Sequence, residues 1–371
     1  MKNFGIFSDL RMALAEFQER LSVGPTNGLE TCPLAPGGED EWDRFVLDSP
    51  SGTFFHLSGW RTVVERVLGR RTYSFTARDS RGIRGVFPIG YVRSRLFGNS
   101  LVSFPLAVYG GICADDAPAY AGLLKAGQAL ADQLGVKYLE MRNRTEPCPS
   151  DLPGRDLYVT FTQDLSAGPE KLMQALPRDT RYAIRKSIKS GLQWMEEVTL
   201  AEFYEIYAQS VHRLGTPVFS RNLFEILRSV FPRHTRLFGV RKDKDLIAAV
   251  FCLYFRDQVL PYYAGALPEF YEDAPNNFMY WRLIAQSCAE GYRLFDFGRS
   301  KRETGSFRFK SAWSMKVSAL PYRYYLVRAK EVPHMSPVDQ KFQLPVRLWK
   351  QLPFGLTKIL GPSLIRRIPS V

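Results

Sequence analysis

The stretch Gly291-Tyr292-Arg293-Leu294-Phe295-Asp296-Phe297 repeats the pattern of Gly135-Val136-Lys137-Tyr138-Leu139-Glu140-Met141: glycine, apolar, basic, two apolar, acidic, apolar. Each glycine follows a helical pattern, over residues 117–134 in the first half and 277–290 in the second. A glycine at that point supplies the left-handed residue that ends a helix. The short apolar run after it suits a buried strand.

Working outward, residues 72–78, a turn at Asp79-Ser80-Arg81-Gly82 and residues 83–92 read as a β-hairpin. So do residues 236–241, a turn at 242–245 and residues 246–255. A third strand over 259–266 follows the second hairpin; residues 101–112, interrupted by Pro105, are its weaker counterpart. Each half therefore reads helix, hairpin, further strand, helix, strand. That order predicts a duplicated α/β domain whose mixed sheet joins antiparallel hairpins to one β-α-β crossover, with helices on its faces.

The linker at 147–154, with Pro147, Pro149, Pro153 and Gly154, interrupts regular structure and divides the chain. The expected layout is an amphipathic extension over 1–28, a first domain over 29–150, a second over 151–332, and a basic, proline-containing amphipathic tail over 333–371. In the extension, Leu10, Leu14, Phe17 and Leu21 share one face of a helix over 8–21. The second domain holds a helical insertion over 172–192 and 200–231, with Thr199 and Glu202 as a capping box and Gly215 and Pro217 as a break.

Composition narrows the class. The 371 residues are 45% hydrophobic and 13% aromatic, which excludes a disordered chain. The longest apolar run, 246–255, is far short of the roughly 20 residues a spanning helix needs. Residues 1–21 contain no continuous apolar block, so no signal peptide is expected and the protein reads as cytoplasmic. Cys32, Cys113, Cys148, Cys252 and Cys288 lie far apart without a CxxC pair, which argues against a disulfide framework or a zinc site. Fifty Lys and Arg against 37 Asp and Glu give a net charge of +13, suited to nucleic acid, phosphorylated substrates or anionic headgroups.

Conventional catalytic strings are missing. His56, His212, His234 and His334 fit no metal spacing, so no metal is expected, and there is no GxSxG, Walker loop or GxGxxG. The densest candidate region is 296–316, where Arg299, Lys301, Arg302, Arg308, Lys310 and Lys316 alternate with Phe297, Phe307, Phe309 and Trp313. It begins where a strand ends, at Gly298, and ligands of open α/β sheets bind beyond the strand carboxyl ends. If 306–312 is helical, Phe309 and Trp313 face inward and Lys310 sits beside that seam. A cation held there can bind phosphate or stabilise an oxyanion; the alternative is a solvated basic face over an aromatic core. Arg178, Arg181, Arg185 and Lys189 form a second row on one helix face. That row suits the wall of an anionic groove for an RNA acceptor end or a pyrophosphate, or else a solvated face. Tyr262-Tyr263 and 276–280 line the same crevice, with Asn276 read as an N-cap.

The duplication, Phe295-Asp296-Phe297-Gly298-Arg299-Ser300 and Phe307-Arg308-Phe309-Lys310 together resemble the FemAB-like aminoacyltransferases, built from tandem GNAT-type domains. Thr53-Phe54-Phe55-His56-Leu57-Ser58-Gly59-Trp60 is similar to the family's entry into its first domain, and the resemblance covers roughly residues 30–330. Within the family it looks closest to members associated with PEP-CTERM and exopolysaccharide loci. The resemblance implies transfer of an acyl or aminoacyl group to an amine of a cell-wall or surface-glycan precursor, phosphorylated or lipid-linked. It implies no tightly bound cofactor and a donor that is either aminoacyl-tRNA or acyl-CoA. It places Lys310 as the catalytic cation; the substrate-binding candidates are Arg299, Arg308 and Tyr263, by proximity to it, and Asn277, Arg181 and Arg185, from the crevice and the basic row. After Met141-Arg142-Asn143 nothing matches Phe309-Lys310, which suggests a structural first copy. The [RQ]-x-x-G-x-[GA] string by which an ordinary GNAT cradles a coenzyme A pyrophosphate is also missing, which favours aminoacyl transfer. The rival class is a non-enzymatic basic accessory protein, peripheral on the inner face of the membrane through residues 333–371.

Overall fold

A computed structural model describes residues 23–26, 28–94, 98–145, 151–333 and 340–366. The chain forms two compact units, the first built from the residues up to Arg155 with Pro321–Pro333, the second from Asp156–Leu320 with the helices of 340–366. The expected helix over 8–21 lies outside the described residues.

Among the described residues the first sheet runs in the order Val23–Thr26, Leu29–Pro33, Thr72–Asp79, Gly82–Ser94, Gly98–Val102, Tyr138–Arg142, Tyr322–Leu326, Gly154–Arg155. The second runs Gln193–Met195, Thr235–Lys242, Asp245–Phe255, Gln258–Ala266, Leu294–Asp296, Tyr158–Asp164, Ser300–Lys301, with Lys316–Ala319 also paired to Tyr158–Asp164. Both hairpins form where the strand–turn–strand pattern places them. Each sheet holds one parallel pair across a crossover helix. In the first, Leu101 lies opposite Leu139 across helix Ala117–Leu134. In the second, Val259 lies opposite Phe295 across helix Pro275–Ala289. Gly135 and Gly291 take left-handed φ values of 54° and 84°, as the helix endings require. Each unit closes its own apolar core, around Phe87, Leu123 and Leu139 in the first and Phe161, Val250 and Phe295 in the second.

The structure corrects the sequence-based boundaries. Tyr322–Leu326 pairs antiparallel with Tyr138–Arg142, and Gly154–Arg155 pairs with Tyr322–Leu326, so both segments belong to the first sheet and not to the second domain. Residues 340–366 form two helices, Gln340–Gln351 and Phe354–Ile365, packed on helix Leu200–Leu214 of the second unit. The expected strand over 101–112 stops at Val102, because Pro105 has no N–H for a ladder and Phe104 and Leu106 take φ values of 38° and 66°. Asn276 is not an N-cap: the helix starts at Pro275, whose missing N–H suits a first helical position, after Ala274 at φ 53°.

Candidate active site

The parallel pair of the second sheet sets the site. Gln258–Ala266 and Leu294–Asp296 pair only at Gln258 with Leu294 and Val259 with Phe295. Beyond Val259 their pairing ends, while Asp296 continues to pair with Thr162 on its other side. A wedge opens at the strand carboxyl ends, where main-chain groups are left for a ligand or a side chain to meet.

Lys310 meets them. It projects from the short helix Gly305–Ser311, whose first turn is capped by the Thr304 hydroxyl accepting from Phe307 N at 3.3 Å. Its ammonium donates to the Phe297 carbonyl at 2.6 Å and the Gly298 carbonyl at 3.3 Å, and lies 5.5 Å from the centre of the Phe297 ring. Loss of solvation pulls its pKa down to about 8, against the attraction of the Asp296 carboxylate and with the repulsion of Arg299. Asp296 is fully buried, and one carboxylate oxygen accepts from the Thr160 hydroxyl at 2.6 Å and from Gly298 N at 2.8 Å. Gly298 needs its glycine: its φ is 69°. Tyr280 seats the helix from behind, its ring 4.8 Å from Phe297 and 5.7 Å from Phe309.

The other expected residues divide into those near this strand end and those apart from it. The Arg299 guanidinium stacks 4.7 Å over the Tyr158 ring. Arg299 also acts on Tyr263, whose hydroxyl burial pushes well above the usual tyrosine range while the guanidinium pulls it back. Tyr263 packs edge-on against Phe224 at 5.1 Å and Tyr207 at 5.7 Å. Arg299 thus acts on both Lys310 and Tyr263, and Asp296 on Lys310. Arg308 is exposed on the Lys310 helix, and Asn277 is half-buried in the first turn of Pro275–Ala289. On helix Arg178–Lys189, Arg178, Arg185 and Lys189 are exposed, while Arg181 donates to the Gln174 carbonyl at 2.9 Å. That helix is tied to the Lys310 segment by the Thr180 hydroxyl, which donates to the Ala312 carbonyl.

Thr160 and Thr180 are supporting residues that the sequence reading missed. The strand of Thr160 had a signal: Tyr158-Val159-Thr160-Phe161-Thr162 consists entirely of β-branched and aromatic residues, as strands favour. Thr180 had none, because its partner is a distant backbone carbonyl.

The matching place in the first unit is closed. Beyond Val102 the chain turns back, and residues 101–113 are all buried. Gly110 N and Gly111 N donate to the Arg142 carbonyl at 3.0 and 3.1 Å, where the second unit uses Lys310. Arg142, 1% exposed, donates to Glu140 at 2.9 Å and to the Ala107 carbonyl at 2.8 Å. His56 Nε2 donates to the Gly111 carbonyl at 2.9 Å, and the Tyr322 hydroxyl donates to the Val108 carbonyl at 2.6 Å. Main-chain atoms thus meet the strand end in the first unit, where a side chain meets it in the second.

Residues 178–311 match the family described as Acetyltransferase (GNAT) domain. No curated protein matches the sequence. The fold is similar to a solved structure of FemX, with a TM-score of 0.63 at 14% identity over 78% of this chain and 96% of that one. It is also similar to the C-terminal domain of a protein described as a lysylphosphatidylglycerol synthetase from Agrobacterium fabrum, with a TM-score of 0.53 at 14% identity over 78% and 91%. A tandem GNAT protein from the clavulanic acid biosynthesis pathway gives a TM-score of 0.50 at 11% identity over 82% and 100%. The family match lies within the second unit, and the two-sheet fold is similar to that of solved tandem GNAT structures.

Proposed function

We propose that the protein is a FemAB-like aminoacyltransferase of the exopolysaccharide-associated kind, working at the wedge of its second unit. It moves an aminoacyl group from aminoacyl-tRNA to an amine of a phosphorylated or lipid-linked glycan precursor. The amine nitrogen attacks the ester carbonyl, a C–N bond forms and the C–O bond to the ribose breaks. The proton lost by the amine goes to the departing ribose oxygen. Lys310 supplies positive charge where the tetrahedral oxyanion develops, and Arg299 adds to the field that holds substrate phosphate. Catalysis is by positioning and charge, without a covalent enzyme intermediate.

The observation that carries the choice of donor is the junction between Gln258–Ala266 and helix Pro275–Ala289. An ordinary GNAT would bind a pyrophosphate on free amides at such a helix start. Here the junction is the turn Pro268–Asp273, which carries Glu269 and Glu272; Asp273 beside the helix start is paired with Lys242, and Pro275 removes an amide. Such a helix start offers a pyrophosphate one amide fewer and acidic neighbours. The basic row of helix Arg178–Lys189 offers cations to an RNA backbone instead.

Calorimetry on one preparation tests this. Aminoacyl-tRNA is expected to bind more tightly than acetyl-CoA at low salt, with a log–log salt slope of about 0.7–0.9 per phosphate neutralised. Reversing Arg181 and Arg185 to Glu should weaken the RNA and flatten that slope. Micromolar acetyl-CoA binding with no RNA binding would leave a divergent acetyltransferase in its place.

A further inference from the structure

The helices Gln340–Gln351 and Phe354–Ile365 each show two faces. One face is anchored: Trp349, Thr357 and Ile365 are buried, and Lys358 pairs with Glu205 of helix Leu200–Leu214 at 2.7 Å. The opposite face is apolar and uncovered. Leu344, Leu348 and Ile359 are 64%, 55% and 73% exposed, and Leu356, Leu360 and Leu364 are exposed beside them. The spacing 344, 348 and 356, 360, 364 makes a stripe on each helix, and such contiguous apolar surface marks a contact site.

Charge indicates which partner covers it. From residue 340 onward the sequence contains Lys341, Arg347, Lys350, Lys358, Arg366 and Arg367 and no Asp or Glu. Arg347, Lys350 and Arg366 are exposed on the same two helices. A second copy meeting this face about a two-fold axis would set cation against cation. An anionic bilayer satisfies both features at once, taking leucines into its acyl boundary and cations at its phosphates. No helix among the described residues is long and apolar enough to cross a membrane, so such contact is made in the interface plane.

We propose that Gln340–Gln351 and Phe354–Ile365 form a docking surface for an anionic membrane, on which the second unit sits. This surface is independent of which acyl group the wedge transfers, so its test needs no turnover.

The full chain is floated with vesicles of equal parts phosphatidylglycerol and phosphatidylcholine, and with phosphatidylcholine alone, in about 0.1 M salt. Flotation with the anionic vesicles only, weakening as salt rises, is the expected result. Leu348→Glu with Ile359→Glu should cut the bound fraction about tenfold or more. Arg347→Glu, which leaves the apolar stripe intact, should cut it about fivefold or more, since each cation near the surface is worth roughly that factor. All three side chains are exposed, so thermal melting should match the parent. Absence of flotation with anionic vesicles, or equal flotation of parent and double variant, overturns the proposal. So does a concentration-dependent dimer that the double variant abolishes without any vesicle binding, which assigns the face to a second copy.

Discussion

Arg142 and Gly298 hold the same place in the two repeats, yet their carbonyl oxygens are met by different donors. Gly110 N and Gly111 N reach the Arg142 carbonyl at 3.0 and 3.1 Å, whereas the Lys310 ammonium reaches that of Gly298 at 3.3 Å. Main-chain donors make the first solution rigid and closed. A side-chain donor makes the second separable: a charged group can leave two carbonyls for a substrate without unravelling a sheet. The two repeats differ at this connection in what meets the strand end, main chain in the first and a side chain in the second.

Replacing Lys310 by Met should reduce transfer at least about a hundredfold, the scale of a lost oxyanion donor. It should also lower stability by about 1–3 kcal/mol, because the Phe297 and Gly298 carbonyls lose their donor. Methionine keeps the packing of the stem, so the loss is that of the two donated bonds. Turnover and urea denaturation on the same preparation check both effects, and Lys310→Arg should recover more stability than activity. Unimpaired transfer in Lys310→Met would remove the cation from the chemistry.

The pH dependence follows from the same residue. Its pKa falls from 10.5 to about 8 on folding. Between those values the unfolded chain binds the proton and the folded one does not, so stability rises with pH across the window. Measured against Lys310→Met, the parent should therefore gain stability from about pH 8 to pH 10.5, while cation-dependent turnover falls above about pH 8. A flat difference between the two proteins across that range would show that Lys310 keeps an ordinary pKa.

Arg142→Met should be among the most damaging single changes in the first unit. It leaves the Glu140 carboxylate, 6% exposed, without its guanidinium, and breaking one side of a buried pair costs about 3–5 kcal/mol. Denaturant midpoints measure it. A loss below about 1 kcal/mol would mean that the pair is solvated in solution.

Gly298→Ala tests the strand end more gently. No atom lies within 4 Å of the added Cβ, so the cost is conformational, from φ 69°. About 1–2 kcal/mol of destabilisation is expected. Because the turn also aims the carbonyl that Lys310 holds, turnover should fall as well, which a kcat and KM comparison reads directly.

Local signals carried most of the fold. Strand–turn–strand patterns gave the hairpins 72–92 and 236–255, and the paired glycines gave both crossovers. What escaped was set by distance along the chain. Tyr322–Leu326 looks like one more strand of the half it follows, and only its pairing with Tyr138–Arg142 assigns it to the other. The fate of residues 103–113 was hidden for a related reason: a buried irregular loop has no period, and the bonds that bury it run to Glu140 and Arg142. Of the site, Lys310 was legible as a basic residue beside an aromatic seam. Its partners were not, since both acceptors are main-chain atoms and Thr160 lies far away in sequence.

The return of the chain to the first sheet also orders events during synthesis. Until Tyr322–Leu326 leaves the ribosome, Tyr138–Arg142 is an open edge, and Gly154–Arg155 has no strand to join. The second unit's sheet, complete once Lys316–Ala319 is made, can close first. The sheet that is begun first is thus finished last, and a ribosome stalled before Pro321 holds a half-made sheet whose free edge invites pairing with another chain.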